Sequence, residues 1–231
     1  MPHAIDHPAL LERVAAARGG GAHTAFKSFD PARTAHVIVD LQNGFMEEGA
    51  PVEVPEARSI VGNVNLISRA VRRAGGINVF LRYTTTGLDE GWSIMRRRLG
   101  PGAAAHADGF MRDAHYWQLW PDLEVSEGDL MVEKSRFSAL VTGSSDLHEL
   151  LQKRDIDTLL ITGTLTNCCC ESTARDAMQL NYHAVVVADA CAALSDAEHE
   201  ASLYSLGFIF ADLTTTDDLL AHLARTKENA A

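Results

Sequence analysis

Apolar positions along this chain alternate between two spacings, and the alternation predicts its elements. Ala35-His36-Val37-Ile38-Val39 is a short apolar run that reads as a buried strand. Ile60, Val64, Ile67 and Val71 then recur at helical spacing, and Gly75-Gly76 stops that helix. Residues 77–83 predict a second strand and Leu130-Met131-Val132 a third, with Leu147, Leu150 and Leu151 marking a short helix after it. Residues 158–162 predict a fourth strand, followed by a helix from about Cys169 to Leu180. Residues 184–188 predict a fifth, then a helix across Ala197, Ala201 and Leu206. Residues 208–213 predict the sixth, and a helix around Leu219 closes the chain. Strands apolar on both faces and separated by helices predict an α/β protein, its mainly parallel six-stranded sheet covered on both sides.

Two segments depart from this rhythm. Residues 1–33 read as a peripheral arm ahead of a single domain over 34–231. Leu10, Leu11 and Val14 make a short helical stripe in the arm, ended by Gly19-Gly20-Gly21. Such an arm is expected to cover a neighbouring surface. Residues 84–128 are long, irregular and aromatic, with Trp92, Phe110, Tyr116, Trp117 and Trp120. They predict a lid or pocket wall, or else a packing excursion or subunit contact.

Composition narrows the partners. The 231 residues are 46% hydrophobic and 22% charged, as in ordinary globular domains. No apolar run reaches the ~18 residues that cross a membrane, and the opening segment lacks a secretory core. The net charge of −11 argues against nucleic acid, because phosphate contacts need a basic surface. Arg96-Arg97-Arg98 reads as a solvated helix face, or alternatively as a clamp for an acidic substrate. Three of the four cysteines are consecutive, Cys168-Cys169-Cys170, which is no disulfide framework. A reducing cytoplasm is the expected location.

Ligands of open parallel sheets bind beyond the carboxyl ends of the strands. Three reactive side chains stand there. Asp40 ends the first strand, as a helix cap, a buried structural partner or a general base. Lys134 ends the third, idle unless it meets a carboxylate and a nucleophile. Cys169 follows the fourth strand at a helix start, where exposed N–H groups favour thiolate and can hold an oxyanion. The alternative for Cys169 is an inert buried thiol. Together the three suit nucleophilic catalysis. Asp40 takes the thiol proton, Lys134 holds the carboxylate and favours thiolate, and the thiolate attacks a carbonyl.

Ordered segments over about residues 34–215 carry a resemblance. They are Val37-Ile38-Val39-Asp40-Leu41-Gln42-Asn43-Gly44-Phe45, Glu133-Lys134-Ser135-Arg136-Phe137-Ser138-Ala139-Leu140, the stretch from Gly163 through Thr166-Asn167-Cys168-Cys169-Cys170-Glu171-Ser172-Thr173 to Ala177, and Ala188-Asp189-Ala190. In this order and spacing the chain resembles the isochorismatase-like cysteine hydrolases. The resemblance implies a Rossmann-like three-layer α/β/α sandwich and a catalytic triad of Asp40, Lys134 and Cys169. It also implies a cis peptide between Thr164 and Leu165, with an oxyanion hole of the Leu165 and Cys169 N–H groups. A homo-oligomer, dimer or tetramer, is expected, and no cofactor.

Departures from relatives narrow the chemistry. Nicotinamidases of this family carry metal-binding histidines after the second strand; here Arg82-Tyr83-Thr84-Thr85-Thr86-Gly87 has none, and His106 and His115 read as ordinary polar residues. No metal site is therefore expected. Isochorismatases that cleave a vinyl ether typically lack the cysteine. Its retention favours hydrolysis of a C–N bond in a small amide or ureide, through a thioester. The candidates include ureidoacrylate, biuret-type, carbamoyl-amine, maleamate and cyclic-amide substrates. Vinyl-ether cleavage and a non-catalytic binding or scaffold role are the alternatives. Phe45, Arg82, Tyr83, Trp92 and Trp117 are candidate substrate contacts, and Glu171 is expected to serve the helix start.

Overall fold

Every residue of strand β1 (Thr34–Val39) is buried, as a strand covered on both faces requires. The computed structural model describes residues 3–20, 29–86 and 92–228. Gly21 of the glycine run and residues 87–91 of the irregular interval lie outside them. Ahead of β1, helix α1 (His7–Ala17) buries Leu10, Leu11 and Val14, and the Asp6 carboxylate caps it by accepting from the Ala9 N–H. After β1 come α2 (Asn43–Met46), α3 (Ala57–Ala74) and β2 (Ile77–Tyr83). Two short helices, α4 (Ser93–Leu99) and α5 (Ala103–Gly109), precede β3 (Leu130–Lys134). Then follow α6 (Leu147–Gln152), β4 (Thr158–Thr164), α7 (Glu171–Gln179), β5 (His183–Ala192), α8 (Asp196–Ser205), β6 (Asp212–Thr214) and α9 (Thr216–Glu228). Among the described residues no helix is long and apolar enough to cross a membrane.

The six strands are all parallel, in the order β3-β2-β1-β4-β5-β6. Successive side chains of a strand point to opposite faces, and β1 divides accordingly. Val37 and Val39 join a core with Leu147, Leu151, Ala174, Ala177 and Leu203, from α6, α7 and α8. Ile38 joins a second core with Ile60, Val64, Ile67, Leu219 and Leu223, from α3 and α9. The result is the three-layer α/β/α sandwich.

The strand order reverses between β1 and β4, so the crevice for a ligand opens beyond their carboxyl ends. The two strands approach unusually closely there. Gly163 has φ 112, and a Cβ on it would lie 2.1 Å from the Val39 carbonyl oxygen. Only glycine fits that place.

Three elements differ from the sequence reading. The helix after β4 is preceded by a wide turn, Thr166–Cys170, so Cys169 sits inside the turn. Strand β5 runs on to Ala192, because Asp189 is absorbed into it by accepting from the N–H and hydroxyl of Thr216. The sixth strand covers only Asp212–Thr214. Residues 206–210 instead prolong α8 as a wide turn, with Ile209 58% exposed. A short apolar run does not by itself distinguish strand from helix end.

Candidate active site

Each of the three chemistry-bearing side chains ends a strand or follows one. Asp40 leaves β1 with φ 52, a left-handed turn that non-glycine residues seldom adopt. Its N–H still bonds to the Leu81 carbonyl at 3.3 Å, so the turn stays fastened to β2. Lys134 ends β3, in register with Tyr83 of β2. Its side chain reaches along the Tyr83 ring, with Nζ 5.3 Å from the ring centroid. The ammonium arrives 2.7 Å from Asp40 Oδ2, and both side chains are 0% exposed. Lys134 Nζ also donates to the Arg136 carbonyl at 3.0 Å. Cys169 comes from β4 through the wide turn, is 5% exposed, and its thiol meets both Asp40 and Lys134. The three residues are thus brought together from three strands.

Their electrostatics follow from burial. Loss of water pushes the Asp40 carboxyl up, against the pull of the Lys134 ammonium and the Cys169 thiol. Burial alone would lower Lys134, but the charges of Asp40 and Cys169 and their hydrogen bonds outweigh it, and its pKa is raised. The Cys169 thiol is pushed well up by its hydrogen bond with Cys168 and by burial, with Lys134 acting the other way. This departs from the sequence expectation that the lysine and helix start would favour thiolate at Cys169. The half-buried Cys168, which shares that hydrogen bond, holds charge more easily because the Cys169 thiol hydrogen-bonds to it and the Lys134 ammonium is near, against the penalty of its own burial. The resting site therefore presents a protonated Cys169 beside a strengthened base.

The turn offers donors as well. The Thr164–Leu165 peptide is cis. The N–H groups of Cys168 and Cys170 both bond to the Leu165 carbonyl at 3.1 Å. Glu171 pairs with Arg175 at 2.6 Å and accepts from Ser202 at 2.5 Å, holding the start of α7.

The aromatic candidates divide into three groups. Tyr83 lines the lysine and joins Phe110 and His106 in a ring cluster. Phe45 is buried against Phe110, with centroids 5.0 Å apart. Trp92 lies edge-on to Phe137 at 4.9 Å, with the Arg136 guanidinium 5.0 Å from its ring. Arg82 projects from the other face of β2 and stacks on Trp117 at 4.2 Å. The Trp117 indole donates to Thr84 Oγ1 at 2.8 Å. The histidines of the interval are spoken for: His106 is in the ring cluster and His115 pairs with Glu47. Among the described residues no three His, Cys, Asp or Glu side chains converge as a metal site.

Sequence reasoning missed Gln42. Its amide donates to the carbonyls of Tyr83 and Trp117 at 3.0 and 2.9 Å and accepts from the Tyr83 N–H at 2.7 Å. It clasps the ends of β1 and β2 to the irregular interval. Its place two residues after Asp40 is the available signal, since a polar residue in a buried run needs partners.

Comparison with known proteins gives a consistent picture. The model of the isochorismatase domain matches residues 34–218. An uncharacterized isochorismatase family protein, YwoC of Bacillus subtilis, is 30% identical over 196 residues, covering 84% of this chain and 95% of the relative. The ureidoacrylate amidohydrolase RutB of Pseudomonas savastanoi pv. phaseolicola is 30% identical over 210 residues, covering 81% of this chain and 82% of the relative. Among solved structures, a cysteine hydrolase from Pseudomonas syringae pv. phaseolicola superposes with a TM-score of 0.79 at 27% identity, over 87% of this chain and 96% of that one.

Proposed function

The chain belongs to the isochorismatase family, and from that premise we propose that it is a cysteine-dependent hydrolase of a C–N bond in a small amide or ureide. One observation carries this reading: a buried carboxylate and ammonium 2.7 Å apart, with the Cys169 thiol against both. Similarity to a ureidoacrylate amidohydrolase supports the substrate class.

Asp40 takes the proton of Cys169 as the sulfur attacks the substrate carbonyl. Raising the carboxyl improves it as a base, and a thiol protonated at rest makes the two events concerted. The tetrahedral oxyanion forms beside the Leu165 and Cys169 N–H groups, which act as preorganised donors. Asp40 returns the proton to the leaving nitrogen, the C–N bond breaks, and a thioester remains on Cys169. Asp40 next takes a proton from water, whose oxygen attacks the thioester, and the Cys169 sulfur leaves as the proton comes back. Lys134 stays charged throughout and fixes the carboxylate. Trp92 and the ring cluster around Tyr83 form the wall contributed by residues 84–128.

The test is a panel of ureides and amides scored by ammonia or amine release, run on the wild type, Cys169→Ala and Asp40→Asn. Turnover by the wild type, lost by at least about a thousandfold in both variants, is expected from removing a nucleophile or its base. Retention of amide or ureide hydrolysis in Cys169→Ala sinks the thioester route; a panel left untouched by the wild type, with cleavage of a vinyl ether that survives Cys169→Ala, supports the alternative reaction, which needs no acyl-enzyme.

A further inference from the structure

His199, on α8, lies outside the triad and is wholly buried. Its Nδ1 is 2.7 Å from Thr166 Oγ1, and Thr166 opens the turn that carries Cys169. Its Nε2 meets the Ala188 carbonyl without completing a well-formed bond. With the ring proton on that side, Nδ1 is an acceptor and Thr166 donates to it. Ser202, further along α8, lies 3.2 Å from the Thr166 carbonyl and donates to Glu171. The imidazole of α8 thus holds the first residue of the nucleophile turn, with the Ser202 hydroxyl packed beside it.

The N-terminal segment closes the other side of the imidazole. The His3 ring stacks on His199, with centroids 4.2 Å apart and planes 6° from parallel. His7 meets it edge-on at 6.1 Å. His3 is itself locked in place. Its Nε2 accepts from the Ala193 N–H at 3.0 Å, so its proton is on Nδ1, which donates to Asp196 at 2.7 Å. Asp196 also receives the Ala4 N–H at 3.3 Å.

The charges facing this stack come from three elements: Asp6 beside His7 on the arm, Asp189 from β5, and Asp196 from the start of α8. Glu171 of α7 is reached through Ser202. Asp196 acts on His199 itself, and Asp6 and Asp189 act on His7, so the Asp196 carboxylate would draw a proton onto His199 if water entered. Burial instead holds His199 down at about 3. The distinction matters chemically. An imidazolium has donors on both nitrogens and no acceptor left for the Thr166 hydroxyl.

We propose that the N-terminal segment straps the nucleophile turn: His3 seals His199 from water, and the sealed, neutral His199 is a positioning residue that holds Thr166, and through it Cys169, in line with Asp40 and Lys134. The proposal rests on Asp40 acting as base toward Cys169.

The test uses the full chain and two readouts independent of substrate. One is alkylation of Cys169 by iodoacetamide, assigned by fragment mass; the other is the ring resonance of His199 by NMR. In the wild type His199 stays neutral down to roughly pH 5, well below the ~6.5 of a free histidine. In His3→Ala it titrates near ~6.5 and Cys169 alkylation falls with it. Thr166→Val and His199→Phe each slow Cys169 alkylation about tenfold at neutral pH, the pair together no more than either alone, while His199→Asn, which keeps an acceptor near Nδ1, stays within about twofold of wild type. Should His199→Phe fail to fold, Thr166→Val, which exchanges a hydroxyl for a methyl, carries the same comparison. A neutral His199 in His3→Ala overturns the strap, and so does an unchanged rate in Thr166→Val. Asp40→Asn runs alongside. If it leaves Cys169 alkylation unchanged, the Asp40–Cys169 reading fails and the strap falls with it; if it slows alkylation while Thr166→Val does not, the strap alone fails.

Discussion

Lys134 Nζ and Asp40 Oδ2 lie 2.7 Å apart with neither side chain exposed to solvent. Two ions without water are tolerable only as a pair, and removing one leaves the other uncompensated. Lys134→Met is therefore expected to cost about 3–5 kcal/mol, and the double variant Asp40→Asn, Lys134→Met to recover most of it. Urea denaturation of the three proteins checks this. A double variant no more stable than Lys134→Met would show that the pair is not a unit.

The acid limb of activity should lie above the ordinary aspartate value of 3.8, because burial raises the Asp40 carboxyl. Activity requires the carboxylate, so it falls as pH drops through that raised value. In Lys134→Ala the cation that lowers Asp40 is gone, and the limb should move to higher pH still. Rate profiles in pH across both proteins decide the matter; a limb that stays put or moves toward acid contradicts it.

The two adjacent thiols should divide labelling from catalysis. Cys168 is half-buried and Cys169 is 5% exposed, and their shared hydrogen bond favours charge on Cys168. In the resting enzyme Cys168 is expected to alkylate first. Cys168→Ala should remove the leading influence that raises Cys169, so that Cys169 then alkylates faster, several-fold at neutral pH. Peptide mapping over time separates this from the outcome in which Cys169 leads in the wild type.

Gly163→Ala should disable the protein. The new methyl would sit 2.1 Å from the Val39 carbonyl, at a φ of 112 that side chains disfavour. A loss of about 2–4 kcal/mol is expected by thermal or chemical unfolding, with Asp40 displaced from Cys169 and turnover lost as well. Gly62, where an added Cβ meets nothing within 4 Å, is the matched control; Gly62→Ala in the exposed face of α3 should be neutral or stabilising.

Much of this was legible from the chain because the relevant signals are local. An apolar run followed by Asp40, Lys134 or the cysteines marks a strand end, and strand ends in a parallel sheet converge. The reading of residues 208–213 failed because a buried strand and a helix terminus can share the same composition. Strand β5 was cut short at Ala188 because Asp189 resembles a stop, whereas its carboxylate is satisfied across the fold by Thr216. His199 carried no signal at all. It is 33 residues from Thr166, and its role exists only once α1, α8 and the nucleophile turn are in contact. Cys169 as thiolate is a plausible reading of a helix start, but the hydrogen bond with Cys168 and burial reverse it, and neither the turn geometry that makes that bond nor the burial is written in the local sequence.

Gln42 grips the end of β2 through the peptide carbonyl of Tyr83 and the interval between β2 and β3 through that of Trp117. Carbonyls belong to every residue, so this grip is blind to the side chains that residues 84–128 carry. On the proposal that this stretch walls the pocket, drift in it would recast that wall, its charge and its bulk, without loosening the floor on which Asp40 stands. A new substrate preference could therefore be acquired by exchanging the interval while the chemical machinery is inherited intact.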